Sequence, residues 1–310
     1  MPKPVIIDTD PGRDDAVALI LACGAPGLDV RAVTTVAGNV PVDKTTRNAL
    51  RVLTLIGRAD LPVAAGAEKP LYRELVTAEH VHGESGLDGP ELPEPGSGPD
   101  PRDAISLMAG VLEASPAPVT LVPIGPLTNV AILLDRRPDL KEKIERVIMM
   151  GGSIGPGNTT AAAEFNVYVD PEAARAIFGG GLPVTMIGLD ATRRALAGEE
   201  HLRRLRSLGE IGAVVAGLLV EPEWRPESGR AQPVHDAVAV AAALEPDVLA
   251  THPMRVEVEC AGEHTTGETV CDTEGIGGKP PNADVAVDLD AARVMEILLD
   301  SVERLAVDGR

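Results

Sequence analysis

Short apolar runs alternate with longer helix-forming segments along most of the chain. Residues 5–7 form an apolar run that predicts a buried strand, and residues 14–23 predict a helix with an acidic first turn. Further strands are predicted at 30–36, 62–65, 119–122, 147–150 and 184–187, and further helices at 43–56, 101–114, 129–134, from 171, 199–220 and 236–244. Such alternation is typical of a parallel sheet with helices on both faces. We therefore predict an α/β fold with a mainly parallel, Rossmann-like central sheet.

The C-terminal part of the chain departs from this alternation. Residues 255–260 and 268–272 predict a small β-hairpin joined through a glycine-containing turn, and 290–305 predicts a closing helix. Two stretches rich in glycine and proline, 82–101 and 221–233, predict irregular loops. Loops of this length in a compact domain are often lids or binding loops, so both are expected near a site.

Composition and charge restrict the classes of partner. The 310 residues show no shift in composition at either loop, which predicts one domain over 1–310. The net charge of −19 would repel nucleic acid and anionic membrane surfaces, so neither is expected as a partner. The sequence has no signal-peptide pattern and no apolar run of the ~20 residues that a membrane helix needs. These features together predict a cytoplasmic protein.

Four aspartates lie within eight residues, directly after the first predicted strand. They are Asp8, Asp10, Asp14 and Asp15. Like charges this close oppose one another's ionisation unless a cation offsets them. Ligands that are all oxygen favour Ca²⁺ or Mg²⁺ over zinc. Capping of the following helix accounts for Asp14 and Asp15 but leaves Asp8 and Asp10 unexplained, so the cluster predicts a site for a divalent cation.

Other polar groups follow the ends of later strands or begin later helices. They are Asn39, the backbone at Ile124, Asn158, Glu164, Asn166, His235 and Asp236. In open parallel sheets, ligands bind in the crevice beyond the carboxyl ends of the strands. Each of these elements can therefore supply one or two groups to a single crevice.

These residues lie in motifs that resemble one enzyme family. The stretch VIIDTDPGRDDAVAL is similar to the N-terminal signature of the inosine-uridine-preferring nucleoside hydrolases. The resemblance continues in unbroken order through TTVAGN (34–39), TRNA (46–49), HVHGESG (80–86), LVPIGPLTN (121–129), MMGG (149–152), AEFNVYVDPEAA (163–174) and VHDAVAVA (234–241). It implies a Ca²⁺-dependent N-ribohydrolase that releases ribose and a free base from a nucleoside. It also implies a homodimer or homotetramer.

The resemblance assigns roles to individual positions. Asp10, Asp15, Asp236 and the carbonyl of Ile124 match the family's calcium ligands, and Asp10 is also the expected general base. The expected contacts to the substrate, most of them to its ribose, are Asp14, Asn39, Met150, Asn158, Glu164, Asn166 and Asp236. His235 matches the histidine that protonates the departing base, and His82 matches one near that base on a mobile loop.

The part of the sequence that would contact the base departs from the family pattern. The loop 221–233 lacks the tyrosines often found there in relatives, which leaves Trp224 and Arg230 as base contacts. Trp224 fits a hydrophobic anchor equally well. Because the chain has a single tryptophan, stacking of a purine between two tryptophans is disfavoured. The prediction is a pyrimidine-preferring or broad nucleoside hydrolase.

Two other classes of protein share parts of this pattern. A haloacid-dehalogenase-type phosphatase also has Asp-x-Asp after its first strand, but it normally has Thr or Val at position 11. It also needs a downstream lysine near a later acidic pair, which the sequence lacks. A non-catalytic, calcium-dependent nucleoside or sugar-binding protein would need the same ligands. The presence of both Asp10 and His235 favours catalysis over binding alone.

Overall fold

The strands form one large sheet and one small one. The structure, a computed structural model, describes residues 1–220 and 232–308. The strands are β1 (Lys3–Thr9), β2 (Leu28–Thr35), β3 (Val63–Ala65), β4 (Val119–Pro123), β5 (Ile144–Met150), β6 (Val184–Ile187), β7 (Leu196–Ala197), β8 (Gln232–Pro233), β9 (Leu249–Val258), β10 (Thr269–Asp272) and β11 (Ala283–Leu289). The large sheet has the order β10-β9-β11-β6-β5-β4-β1-β2-β3, and β7 pairs with β8. The strands from β11 to β3 in this order are parallel, which confirms the predicted fold.

Helices cover both faces of the large sheet. They are α1 (Arg13–Gly24), α2 (Val42–Leu55), α3 (Glu79–His82), α4 (Ala104–Ala114), α5 (Thr128–Arg136), α6 (Phe165–Val169), α7 (Pro171–Gly179), α8 (Leu189–Thr192), α9 (Glu199–Arg206), α10 (Gly209–Leu218), α11 (His235–Leu244) and α12 (Ala291–Asp308). Short 3-10 turns lie at Pro138–Lys143 and Pro246–Val248. Successive strand residues point to opposite faces. Ile7 accordingly packs in one core with Leu19 of α1, whereas Ile6 packs in a second core with Met108 of α4. Burial on both faces explains why the parallel strands are continuous apolar runs.

Three features of the C-terminal half refine the sequence prediction. The helix predicted at 199–220 is two helices, because Gly209 has φ +80°, a conformation that a continuous helix excludes. The predicted hairpin is confirmed as β9 and β10, with Cys271 opposite Val256. Strand β11 is absent from the prediction. It lies between β6 and β9 and thereby joins the hairpin to the parallel sheet.

The carboxyl ends of the parallel strands share one edge of the sheet, and the loops there carry most of the predicted site residues. The segment 83–103, close to the predicted loop 82–101, contains no helix or strand. Of the predicted loop 221–233, residues 221–231 lie outside the described residues, and the last two form β8. No helix in the described ranges is long and apolar enough to cross a membrane.

Candidate active site

A cavity of about 440 Å³ opens at the carboxyl ends of the parallel strands. Eleven of the predicted site residues line it: Asp14, Asp15, Asn39, His82, Ile124, Met150, Asn158, Glu164, Asn166, His235 and Asp236. Asp10 is fully buried and does not line the cavity, but it contacts Asn39, which does. Trp224 and Arg230 lie outside the described residues. The chain therefore brings together, in one place, every predicted site residue that the structure describes.

The β1–α1 loop is folded around the carboxylate of Asp15. Its Oδ1 accepts a hydrogen bond from the Thr9 hydroxyl (2.6 Å), and its Oδ2 accepts from Gly12 N (3.1 Å). The side-chain amide of Asn39 also donates to Oδ2 (3.0 Å) and thereby ties the end of β2 to this loop. Asp15 is almost fully buried, so these donors offset much of the cost of placing its charge there.

Asp10 lies in a space that only glycine neighbours leave open. A Cβ atom at Gly38 would lie 2.1 Å from Asp10 Oδ2, and one at Gly125 would lie 2.4 Å from Oδ1. Asp10 Oδ2 accepts from Asn39 N (2.7 Å), whereas Oδ1 is buried without a hydrogen-bond partner in the described part of the chain. A buried, unpartnered carboxylate oxygen is costly and indicates a group that binds a cation or a water molecule.

Three carboxylates lie close together at the cavity. Oxygen atoms of Asp14, Asp15 and Asp236 lie within 4.8 Å of one another. The ligand set expected from the sequence contained Asp10 where this cluster contains Asp14. Asp15 and Asp236 are common to both sets.

The electrostatics of these carboxylates fit a divalent cation. Burial, followed by the charges of Asp14 and Asp15, raises the pKa of Asp236 well above its usual range. Burial and the charge of Asp15 likewise raise the pKa of Asp10. Without a positive charge nearby, Asp236 and Asp10 therefore resist ionisation. The all-oxygen donor set of the cluster fits Ca²⁺ or Mg²⁺.

The segment after β5 forms the opposite wall of the cavity. Glu164 caps α6, with its carboxylate accepting from Gly152 N (2.9 Å) and Asn166 N (2.9 Å). The Asn166 side chain donates to the carbonyl oxygens of Ile124 (2.9 Å) and Met150 (3.1 Å). The Ile124 carbonyl, an expected calcium ligand, is thereby held at the cavity by a neighbour that also lines it.

Two histidines line the cavity, and each is held there by a different hydrogen-bond partner. His235 begins α11, and its Nδ1 is 2.7 Å from the hydroxyl oxygen of Thr192 in α8. Burial lowers the pKa of His235. His82 ends α3, and its Nδ1 accepts from Arg13 N (3.2 Å), which ties the predicted mobile loop to the acidic loop.

Two residues that support the site through hydrogen bonds, Arg13 and Thr192, carried no assignment from the sequence. The Arg13 guanidinium donates to the carbonyl oxygens of Gly217 (3.1 Å), Leu218 (3.0 Å) and Val220, at the end of α10. Thr192 is fully buried and contacts His235. Both contacts join residues far apart in the chain, so no local spacing could have indicated them. The only sequence signal for either residue was that Arg13 is a basic residue inside the acidic loop.

The order of the motifs and the contents of the cavity agree with a comparison against protein families. A family model described as "Inosine-uridine preferring nucleoside hydrolase" matches residues 5–296. The chain belongs to this family. The family resemblance inferred from the sequence is therefore confirmed.

Similar proteins extend over the whole chain. The pyrimidine-specific ribonucleoside hydrolase RihA of Shewanella woodyi is 48% identical over 98% of this chain and 99% of its own length. The protein of the same name from Escherichia coli O9:H4 is 47% identical, with the same coverage. Among solved structures, the purine-preferring ribonucleoside hydrolase of Gardnerella vaginalis superposes with a TM-score of 0.89 at 29% identity, over 98% of this chain and 99% of its own. The predicted enzyme class, which cleaves N-glycosidic bonds, is confirmed, whereas these relatives differ in the base they prefer.

Proposed function

We propose that this protein is a calcium-dependent hydrolase of pyrimidine ribonucleosides. The observation that carries the proposal is the buried Asp10, whose Oδ1 has no hydrogen-bond partner among the described residues. It lies beside a cavity that is lined by a carboxylate cluster and by His235. A non-catalytic binding protein would need the cation and the polar contacts to ribose. It would have no use for a buried general base such as Asp10 together with a histidine such as His235.

The cation is proposed to be Ca²⁺, held by Asp15, Asp236, Asp10 and the carbonyl of Ile124. Carboxylates together with a backbone carbonyl are the ligands that calcium prefers, and it accepts more of them than magnesium does. When bound, the ion supplies positive charge that favours deprotonation of water and binds ribose hydroxyls.

Asp10 is proposed as the general base. Its Oδ1 has no hydrogen-bond partner in the part of the chain that the structure describes, and can therefore accept a proton. Burial raises the pKa of Asp10, which makes the ionised carboxylate a stronger base. Asp10 takes a proton from water as the water oxygen bonds to C1′ of the ribose. The C1′–N bond breaks, and its electron pair moves to the nucleobase.

The ribose is proposed to be held from two sides. Asp14 and Asn39 contact its hydroxyls from the acidic loop, together with Asp236. Glu164, Asn158 and Asn166 approach from the segment after β5. Met150 packs beside the sugar. Carboxylates close to C1′ stabilise the oxocarbenium character that develops there in the transition state.

The base is proposed to leave with a proton from His235, with His82 nearby. Preference for pyrimidines is supported by the names of the relatives near 48% identity. It is also supported by the cavity lining, where Phe165 is the one Phe, Tyr or Trp side chain among the described residues, so these supply no pair of large aromatic rings to sandwich a purine. Trp224 remains a predicted base contact.

A reducing-sugar assay over uridine, cytidine, inosine and adenosine tests the proposal, with and without chelator. We expect ribose from uridine and cytidine, its loss with chelator, and recovery with calcium. Asp10→Ala is the matched variant and should bind uridine without releasing ribose. If the wild type binds uridine but releases no ribose, the protein is a binding protein. Phosphate release from phosphate esters without any ribose would indicate the phosphatase class.

The protein is further proposed to act in the cytoplasm as a single domain that assembles into a homodimer or homotetramer. Light scattering after gel filtration distinguishes the two assemblies, and a monomer would contradict both.

A further inference from the structure

The short helix α8 joins parts of the cavity that are far apart in the chain. We propose that Thr192, its last residue, is a positioning residue that fixes the imidazole of His235 so that Nε2 faces the leaving base. This inference rests on the proposed function, because it concerns the residue that protonates the base. It adds to the reaction a residue that touches neither substrate nor cation.

The contact itself is short and buried. Thr192 Oγ1 lies 2.7 Å from His235 Nδ1, and Thr192 has no exposed surface. Since Nδ1 is bonded to a buried hydroxyl and His235 lines the cavity, Nε2 is the ring nitrogen left for the substrate. The other ring nitrogen of a histidine commonly sets its orientation and its tautomer in this way.

Both partners of this contact are held by backbone bonds. Thr192 N donates to Gly188 O (3.1 Å), and Val234 N, next to His235, donates to Ala195 O (2.9 Å). A Cβ atom at Gly188 would lie 2.8 Å from the carbonyl oxygen of Gly152, so α8 packs directly against the segment after β5. The backbone of α8 therefore holds the Thr192 hydroxyl in a fixed position.

Neighbouring residues fasten α8 to the loop that carries Asn158. The Asp190 carboxylate accepts from Ile154 N (2.6 Å) and Gly155 N (3.1 Å). The Arg193 guanidinium donates to Gly157 O (2.8 Å). A shift of α8 would therefore disturb both walls of the cavity, which favours a fixed position for Thr192.

A hydroxyl suits this position because it both donates and accepts. When Nδ1 carries no proton, Thr192 donates to it. When the ring carries protons on both nitrogens, Nδ1–H donates to the Thr192 oxygen. As the C1′–N bond breaks and its electron pair moves to the base, the Nε2 proton passes to the base and Nδ1–H stays bonded to Thr192. One contact thus holds the ring in one orientation before and after proton transfer.

The test compares a leaving group that needs a proton with one that does not. Uridine needs a proton on its base, whereas 4-nitrophenyl riboside releases a stable anion. We expect Thr192→Val to lower kcat for uridine about 10- to 100-fold, with KM changed little, because a misplaced acid loses part of the roughly 10²- to 10⁴-fold that general acid catalysis supplies. The rate with 4-nitrophenyl riboside should change less than about 3-fold, since that step gains nothing from the acid. Thr192→Ser keeps the hydroxyl and should restore most of the uridine activity.

The matched control is Thr120→Val in β4. It removes a buried hydroxyl that donates to Glu145 of β5, and neither residue lines the cavity. Thermal melting reports whether each variant folds, and Thr192→Ala replaces Thr192→Val if the latter does not. An equal loss on both substrates, no loss on either, or no rescue by serine overturns the inference. If the wild type releases ribose from neither substrate, the proposed function fails first, and that outcome is distinct from the other three.

Discussion

The acidic end and the base end of the cavity are built in different ways. At the acidic end, Asp15 is bonded by four donors from the segments that follow β1 and β2 or end them, and Asp10 is enclosed by two glycines. At the base end, His82 and His235 come from distant elements, and within residues 1–220 and 232–308 a single hydrogen bond positions the ring of each. The contrast follows from the chemistry of the two groups. A buried carboxylate needs many donors or a cation, whereas an imidazole has only two nitrogens that need a partner.

This difference has a functional consequence. Changes at the acidic end should affect every substrate equally, because all nucleosides share the ribose. Changes at the base end should depend on the leaving group. The variants below test whether the two ends separate in this way.

The largest effect is expected at Asp10. Asp10→Asn keeps the shape but removes the proton acceptor, and we expect kcat to fall about 10³-fold or more, near the upper range for general base catalysis. Uridine and 4-nitrophenyl riboside should lose rate alike, as measured by ribose release under saturating calcium. A loss on uridine alone would contradict the division between the two ends.

Removal of calcium should be nearly as severe. The carboxylates of Asp15 and Asp236, which are buried, and of Asp14, which is half-buried, repel one another without a cation, so a chelator should abolish activity and lower the melting temperature. Added calcium should restore both, and the melting temperature should rise with its concentration. Full recovery with magnesium alone would argue against the proposed ion.

A smaller and selective effect is expected at His235. His235→Gln should lower kcat for uridine about 100-fold and leave 4-nitrophenyl riboside close to the wild-type rate, because only the natural base needs the proton. Steady-state kinetics with both substrates measure this ratio. If the two rates fall together, His235 supports the fold or the cation instead of the leaving group.

The smallest effect on activity is expected at Asp8, two residues before Asp10. Asp8 Oδ1 accepts from Thr34 (2.6 Å) and Asn129 (2.8 Å), and Oδ2 has no partner in the described ranges. Burial raises the pKa of Asp8 from 3.8 to about 7, so the folded protein keeps this carboxyl protonated where the unfolded chain ionises it. The contribution of Asp8 to the free energy of unfolding of the wild type is therefore fully present below pH ~4 and is lost as the pH rises towards ~7.

Asp8→Asn imitates the protonated acid at every pH. Denaturant unfolding in chelator should therefore show the variant gaining stability relative to the wild type between pH 5 and 8, by a few kcal/mol at most. Activity should stay within about 10-fold of the wild type, since the residue supports the loop without touching the cavity. A stability difference that is independent of pH would show that Asp8 ionises normally in the folded protein.

The sequence could predict the acidic end because its contacts are local or repeat at strand ends. Asp10, Asp15 and Asn39 each follow a strand of a parallel sheet, and such strand ends meet by topology. It did not predict that Asp14 lies so close to Asp15 and Asp236, because spacing along the chain does not give the depth of each side chain.

Tertiary packing alone determines the features that the sequence missed. Thr192 and His235 are 43 residues apart, and Arg13 reaches a carbonyl 205 residues away. Strand β11 pairs with a parallel neighbour on one side and an antiparallel one on the other, and no local pattern encodes that combination. The division of the helix at 199–220 depends on the backbone of Gly209, which propensity alone does not decide.

The glycines beside Asp10 matter for anyone who rebuilds this chemistry on another scaffold. Neither Gly38 nor Gly125 has a positive φ, so rules based on backbone conformation would let a designer replace both with alanine. Either methyl group would collide with a carboxylate oxygen of Asp10. The smallest transplantable unit is therefore one aspartate and two glycines, taken from the ends of three adjacent strands.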